Sequence, residues 1–508
     1  MFENLKVVLK DLGSILVMLG LLMLVLIIVA YLFKESDLLD VLFVTALLTL
    51  GSGLLLRYMS FVKQKPDSIP RISRFRLLSR YSWRTAKEPE LKHAMITAAV
   101  AWLVVPAISS LFFILIEGMQ PLDSFFEAMS GWTGTGLTMV AYPSTLTHTM
   151  QFWRSLMQWV GGIGVIVLMV SILARPGTAS FMLYKAEARE EKIHPSIIST
   201  VRIIWWIYLS LTSFGIVLFY LAGMPLWGAI NHAMTAIGTG GFSITENSIA
   251  FYNNPLIELA IMPIMILGAI PFLIHYRVLT GNFRAFLNDM QCRAFFALIL
   301  LLLIPLLIEN YLMPYGDMLS SLRFSLFQII SGITCTGFQT TDVSLWSDTA
   351  LGIVSTAMII GGCAGSTAGG IKVIKAVIAW KNINWSLTRS LLPKKAIKFF
   401  RFGDKLLNEE QMNKIISEAN LIIILWILFL FIGVGVLSHV VVPGYTLSEI
   451  IFEVASAQGN IGLSVGITNA GLSSIGKVML ILNMWIGRLE IIPVLMLVRA
   501  FIKGLEPI

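Results

Sequence analysis

Four times along this chain a short apolar segment ends in one pattern, and the four copies align without a gap. Counting back from Gly136, Gly241, Gly337 and Gly462, the sixth position carries a hydroxyl (Ser130, Thr235, Ser331, Ser456) and the fifth a small residue (Gly131, Ala236, Gly332, Ala457). The ninth position holds Glu127, His232, Gln328 or Glu453, and a large apolar residue follows each glycine: Leu137, Phe242, Phe338 and Leu463. Successive glycines stand 105, 96 and 125 residues apart, far beyond the unit of a solenoid. Repetition at that scale in an apolar chain points to pseudo-symmetric membrane repeats around a shared site. Four short glycine-bearing loops are also what an ion filter requires. Backbone carbonyls must replace a cation's water shell, and glycine lets backbones approach closely enough to do so.

The composition fits a membrane setting: of 508 residues, 56% are hydrophobic and 13% charged. Apolar runs of spanning length fall at about 13–33, 39–59, 94–117, 151–174, 198–223, 255–279, 294–314, 351–380, 418–442 and 474–500, which predicts ten spans. Within each of the last four pairs lies a segment too short to cross, at about 122–132, 226–237, 319–333 and 447–458, leading into the glycine pattern. These read as re-entrant half-helices, whose irregular ends are tolerated at membrane depth only if protein buries them or water reaches them. Each would turn its partially negative C-terminus inward, where it favours a dehydrated cation.

Charge sets the orientation. The segments 57–92 and 372–414 carry ten Lys or Arg each, whereas the glycine-bearing loops contain one, Arg323. The positive-inside rule therefore places the basic loops and both termini in the cytoplasm. The net charge of +8 is a topology signal, and no soluble basic face with interleaved aromatics suggests a nucleic-acid ligand. No short signal core with a cleavage site opens the chain. Cys292, Cys335 and Cys363 lack CxxC spacing, so neither a disulfide framework nor a metal site is expected.

The repeated strings are Thr133-Gly134-Thr135-Gly136-Leu137, Gly238-Thr239-Gly240-Gly241-Phe242, Thr334-Cys335-Thr336-Gly337-Phe338 and Gly459-Asn460-Ile461-Gly462-Leu463. A dinucleotide loop would need a βαβ context, which membrane helices do not supply. With the strings Gly361-Gly362-Cys363-Ala364-Gly365-Ser366-Thr367-Ala368-Gly369-Gly370 and Gly487-Arg488-Leu489-Glu490, the chain resembles the Trk/Ktr/HKT superfamily of cation transporters, most of all its TrkH branch. The resemblance covers nearly the whole chain. It implies an all-α polytopic membrane protein with four helix–pore loop–helix repeats around a central pore, preceded by a helix hairpin that the Ktr branch lacks. It further implies potassium uptake at the inner (cytoplasmic) membrane, a homodimer with a pore in each subunit, and TrkA-like cytosolic nucleotide-binding subunits. Glycine at Gly136, where sodium-selective plant relatives often carry serine, favours potassium; the fourth filter departs somewhat at Asn460-Ile461.

On this reading the potassium filter consists of the backbone carbonyls of Thr135, Gly136, Gly240, Gly241, Thr336, Gly337, Ile461 and Gly462, with potassium as substrate and no other cofactor. The expected units are an N-terminal hairpin and basic linker (1–93), pore repeats at 94–180, 190–282, 290–385 and 415–508, and a basic loop at 386–414. The string Gly361–Gly370 packs five glycines into one predicted span, which weakens a continuous helix by roughly 5 kcal/mol. The string alone admits an unwound segment or two small-residue ridges for helix packing; the resemblance implies a gating loop of Gly361, Gly362, Gly365, Gly369 and Gly370, with Arg488 beside it. Arg488 sits mid-way along the last predicted span, where a charge is expensive. Glu127, Glu453 and His232 read as braces for the loops. An intramembrane enzyme would need paired acids or an activated nucleophile with a base, and no such set is present. The rival within transport is a sodium- or proton-coupled symporter of the same superfamily.

Overall fold

The computed structural model describes residues 2–60, 91–164, 197–391, 400–402 and 405–503. The chain opens with a hairpin, α1 (Phe2–Leu32) and α2 (Leu39–Met59). Its two helices meet closely at glycines: a Cβ on Gly13 would lie 2.6 Å from the Gly53 carbonyl oxygen, and one on Gly53 would lie 2.7 Å from that of Gly13.

Four units of one plan follow. The first is α3 (Leu91–Leu115), the half-helix α4 (Pro121–Thr133) and α5 (His148–Ile163). The second is α6 (Ile197–Leu221), the half-helix α7 (Leu226–Ile237), then α8 (Pro255–Ala269) and α9 (Phe272–Leu279). In the third, α10 (Met290–Asn310) and the half-helix α11 (Met318–Ile333) precede α12 (Asp348–Ile360) and α13 (Val373–Ser390). A small antiparallel pair, β1 (Phe400–Phe402) and β2 (Lys405–Leu407), leads to the fourth: α14 (Glu409–Val440), the half-helix α15 (Leu447–Gly459), α16 (Ser474–Arg488) and α17 (Ile492–Lys503).

Local chemistry explains where the short helices start. Pro121 occupies the first turn of α4, where its missing N–H costs nothing. Asp317 accepts from the amides of Leu319 and Ser320 at 2.9 and 3.0 Å, and Thr446 with Glu449 forms a capping box on α15. The helix after each glycine loop is capped in turn by the side chain of Thr147, Asn254, Ser347 or Ser473. The residue ten places before each reference glycine is buried, as Phe126, Phe327 and Phe452 or, in the second copy, Asn231.

The packing is cyclic. The helix after each glycine loop lies against the half-helix of the next unit: α5 on α7, α8 on α11, α12 on α15, and α16 back on α4. This closure brings four loops distant in sequence to one axis.

Two of the expected spans are corrected. The runs 255–279 and 474–500 are not continuous helices; α8 and α9 meet at 105°, and α16 and α17 at 111°. Arg488 is accordingly the last residue of α16, at the bend and not within a continuous helix. Among the described residues six helices are long and apolar enough to cross a membrane, or eight if each bent pair is one span.

Candidate functional site: a ring of four glycine turns

Each half-helix ends in the same turn. The amides of Thr135, Gly240, Thr336 and Ile461 bond back to the carbonyls of Ser130, Thr235, Ser331 and Ser456, at 2.9 to 3.0 Å. The amide one residue earlier (Gly134, Thr239, Cys335, Asn460) bonds to the carbonyl of Gly131, Ala236, Gly332 or Ala457, at 3.1 to 3.2 Å. This pair of bonds is the Schellman motif, which requires a left-handed residue after the helix. Gly134, Thr239, Cys335 and Asn460 take that role with φ of 68, 50, 57 and 55°. Three of them are not glycine, so surrounding contacts impose the conformation. Asn460 shows how: its Nδ2 donates to Thr135 Oγ1 at 2.9 Å and to the Met484 carbonyl at 3.0 Å. The hydroxyl and small residue of the sequence pattern are thus the two positions whose carbonyls close the turn.

The reference glycines also have positive φ, between 75 and 102°. None has room for a side chain. A Cβ on Gly136 would overlap the carbonyl oxygen of Gly240, one on Gly241 that of Thr336, one on Gly337 that of Ile461, and one on Gly462 that of Thr135. Each carbonyl belongs to the residue just before the next unit's glycine. The eight residues read from the sequence as the filter therefore stand in one closed ring of backbone contacts.

Side chains hold the ring from outside. Glu127, wholly buried in α4, accepts from Thr138 Oγ1 at 2.9 Å, from the Met139 amide at 2.8 Å and from Arg154 Nε at 2.8 Å. Glu453 accepts from Ser464 Oγ, the Val465 amide and the Thr468 amide at 2.8, 3.1 and 3.0 Å. His232 contacts Ser243 Oγ through Nε2 at 3.0 Å and the Gly228 carbonyl through Nδ1 at 2.8 Å. Thr138, Ser243 and Ser464 each lie two residues past a reference glycine, so these three braces are equivalent. The third unit differs: among the described residues the Gln328 side chain has no hydrogen-bond partner, and Gln339 donates sideways to the Ser464 carbonyl at 3.0 Å.

Below the ring the helix of every unit ends, α5 at Ile163, α8 at Ala269, α12 at Ile360 and α16 at Arg488. The breaks follow glycines at Gly161 and Gly162, Gly268, Gly361 and Gly362, and Gly487, each 24 to 27 residues after its reference glycine. In three units the break glycine admits the last turn of its own half-helix. A Cβ on Gly161 or Gly487 would overlap the Trp132 or Gln458 carbonyl oxygen, and one on Gly268 would lie 2.8 Å from that of Ile237.

The third break is the long one. Residues 361–372 leave the helical path, so the small-residue ridges that the string also permitted do not form. At its neck, a Cβ on Gly361 would lie 2.8 Å from Gly370 Cα, and one on Gly370 2.7 Å from Gly361 Cα. The freed backbone finds partners across units. Cys363 and Thr367 amides donate to the Ala269 and Gly268 carbonyls at 3.1 and 3.2 Å, the Phe272 amide donates to the Gly365 carbonyl at 3.0 Å, and the Gly370 amide donates to the Gly459 carbonyl at 3.0 Å. Two broken helices thereby satisfy each other. Arg488 completes the layer by donating to the carbonyls of Thr367 (3.3 Å), Gly161 and Gly162 (3.1 Å), with Trp102 5.3 Å from its guanidinium carbon.

The sequence reading missed several of these residues. Lys372 and Lys375, counted there among the loop charges, turn inward: Lys372 donates to the Ala368 carbonyl and Lys375 pairs with Glu490. Lys372, Glu490 and Ile491 all have positive φ, of 81, 53 and 73°. Arg154 and the break glycines Gly161, Gly162 and Gly268 were missed too, although extending the repeat alignment past each loop would have shown the glycines. The three cysteines are buried and unbridged.

Comparison with known proteins agrees with this architecture. The sequence model of the TrkH family, described as a cation transport protein, matches residues 72–503. An uncharacterized cation transporter of Methanocaldococcus jannaschii is 37% identical over 414 residues, covering 81% of this chain and 83% of its own. The Trk system potassium uptake protein TrkH of Salmonella typhimurium is 30% identical over 425 residues, covering 82% of this chain and 86% of its own. Among solved structures, the crystal structure of the potassium transporter TrkH from Vibrio parahaemolyticus superposes with a TM-score of 0.80 at 26% identity, over 97% of this chain and 98% of that one. The chain is a multi-pass membrane protein of the TrkH cation-transport family.

Proposed function

We propose that the protein takes up potassium across the cytoplasmic membrane, with both termini inside, through the ring formed by Thr135, Gly136, Gly240, Gly241, Thr336, Gly337, Ile461 and Gly462. The observation that carries this is the closure of the ring, glycine against the next unit's carbonyl, four times over. Positive φ at alternate residues flips alternate peptide planes, which lets successive carbonyls share one side and replace a cation's water. Four half-helix C-termini add partial negative charge at the same place. The relatives named as potassium transporters support potassium as the substrate.

The loop Gly361–Gly370 with Arg488 is the gate of this reading. The polar cavity at the inner layer, lined by Gly365 to Gly369, Lys372, Asn460, Gly487, Arg488 and Glu490, measures about 30 Å³. That holds one or two waters, too little for a hydrated cation. A homodimer and TrkA-like cytosolic subunits belong to the same proposal; the basic segments that would meet such subunits, Arg71 to Arg84 and Lys394 to Arg401, lie outside the residues whose side chains are described. The test is flux into liposomes with potassium, sodium and proton gradients imposed separately. Potassium-selective flux that does not require the other gradients is the expected result. Flux that requires a sodium or proton gradient would replace the pore with a symporter.

A further inference from the structure

We propose that Arg154 is a positioning residue for ion discrimination, holding the loops of the first and second units in register. The inference rests on the ring being the filter, and it concerns a side chain outside that ring.

Arg154 lies in α5, only 1% exposed, in a place where a guanidinium is costly unless its donors are met. Its Nε donates to Glu127 Oε1 at 2.8 Å, its Nη1 to the Ser243 carbonyl at 2.8 Å, and its Nη2 to Thr138 Oγ1 at 3.1 Å. The guanidinium carbon stands 4.1 Å from the centre of the Phe242 ring, within cation–π range. Thr138 is two residues past Gly136; Phe242 and Ser243 are one and two past Gly241. Glu127 itself grips Thr138 and the Met139 amide. Every one of these contacts therefore falls on the outer limb of the first or second loop, or on the carboxylate that holds the first.

At the next two junctions the loops are joined without charge, and the inter-unit ion pairs Arg323–Glu258 and Lys477–Asp123 make their bonds outside the four glycine turns. Between the third and fourth units Gln339 Nε2 donates to the Ser464 carbonyl, the position equivalent to Ser243, at 3.0 Å. Between the second and third, the Ala250 amide donates to the Gln339 carbonyl at 3.0 Å, and the Gln339 amide to Ser248 Oγ at 3.1 Å. Among the described residues, Glu453, which matches Glu127, makes no ion pair. Among the described residues, the first junction is the one where a planar, always-charged fork reaches two filter loops, which fixes the angle as well as the distance between them. A pair kept only for stability would not need the remaining donors aimed at two filter loops. Because carbonyl placement sets which ion is best coordinated, loosening this junction alters discrimination before it alters folding.

The experiment measures the potassium-to-sodium permeability ratio in liposomes, per folded molecule, for Arg154→Gln, Arg154→Lys and the double variant Glu127→Gln/Arg154→Gln. Arg154→Gln is expected to lower the ratio about tenfold, with Arg154→Lys intermediate because it keeps the charge and loses the fork. The double variant removes the unpaired buried carboxylate, so it stays informative if the single variant does not fold; it too is expected to lower the ratio. Arg323→Gln breaks a different inter-unit pair, with Glu258 at 2.6 Å, that touches no filter loop, and should leave the ratio unchanged. Arg154 variants with the wild-type ratio, beside a Gly136→Ser variant that shifts it, would overturn the role of Arg154 alone. If Gly136→Ser also left the ratio unchanged, the filter reading would fall and this inference with it.

Discussion

The outer and inner layers of this molecule treat the same fourfold plan in opposite ways. In the outer ring the four units repeat one another bond for bond, with one turn motif, one left-handed residue, and one glycine against the next unit's carbonyl. In the inner layer the helix of every unit ends beside a glycine, yet the breaks among the described residues are not all alike. One turns by 105°, one by 111°, and one runs through residues 361–372 without a helix. Uniformity suits a site that must surround a small ion with equivalent ligands. Inequality suits an element that moves, because a single loop can then change its partners while three units stay fixed.

The comparison predicts that the two layers fail differently. The largest effect is expected for Gly337→Ala. Its Cβ would overlap the Ile461 carbonyl at a position with φ of 81°, so both the residue and its neighbour must shift. We predict a fall in the potassium-to-sodium permeability ratio of about a hundredfold, equivalent to roughly 3 kcal/mol. An unchanged ratio in folded protein would remove the ring from the permeation path.

Arg488→Ala should act on the other property. It removes donors from the Thr367, Gly161 and Gly162 carbonyls, and with them a fixed positive charge beside the path. Basal flux is expected to rise about tenfold, the equivalent of ~1.4 kcal/mol, at nearly constant ratio. A stable variant with wild-type flux would refute the gate, whereas lower yield without flux would assign Arg488 a structural role.

A smaller gain in flux is predicted for Glu490→Gln, which removes the partner of Lys375 and loosens α13 from the last break. The charges acting on Glu490 are Lys375 and Lys372. About a threefold rise, under 1 kcal/mol, is expected because Arg488 keeps its own carbonyl partners in this variant; a change in the permeability ratio instead would show that the layers are not separable. The smallest effect marks the boundary of the comparison. Gly352 lies within α12 with nothing within 4 Å of an added Cβ. Gly352→Ala should leave flux and ratio alone and raise thermal stability by at most ~1 kcal/mol.

Much of the ring was legible in the sequence because its constraint is local and repeated. A hydroxyl, a small residue and a glycine at fixed offsets are what a helix end followed by a close backbone approach demands, and the four half-helices lie where the short apolar segments predict them. The braces at Glu127, His232 and Glu453 were legible for the same reason. Arg154 was not, since nothing along α5 says that its donors reach Ser243, 89 residues away. The bends at 270 and 489 were hidden by hydropathy, which measures how apolar a run is and not whether its backbone bonds stay within it.

The sequence by itself thus determined that this is a membrane protein of four like units, each with a half-helix ending in a glycine turn. Periodicity, glycine placement and charge asymmetry are properties of short stretches and survive without a fold. The tertiary structure alone decided that the turns close into a ring and that two broken helices exchange their hydrogen bonds. It also turned Lys372 and Lys375 from apparent loop charges into inner-layer residues. Each of those outcomes depends on which distant backbone offers a carbonyl to an unsatisfied donor, and at membrane depth that partner must come from the protein.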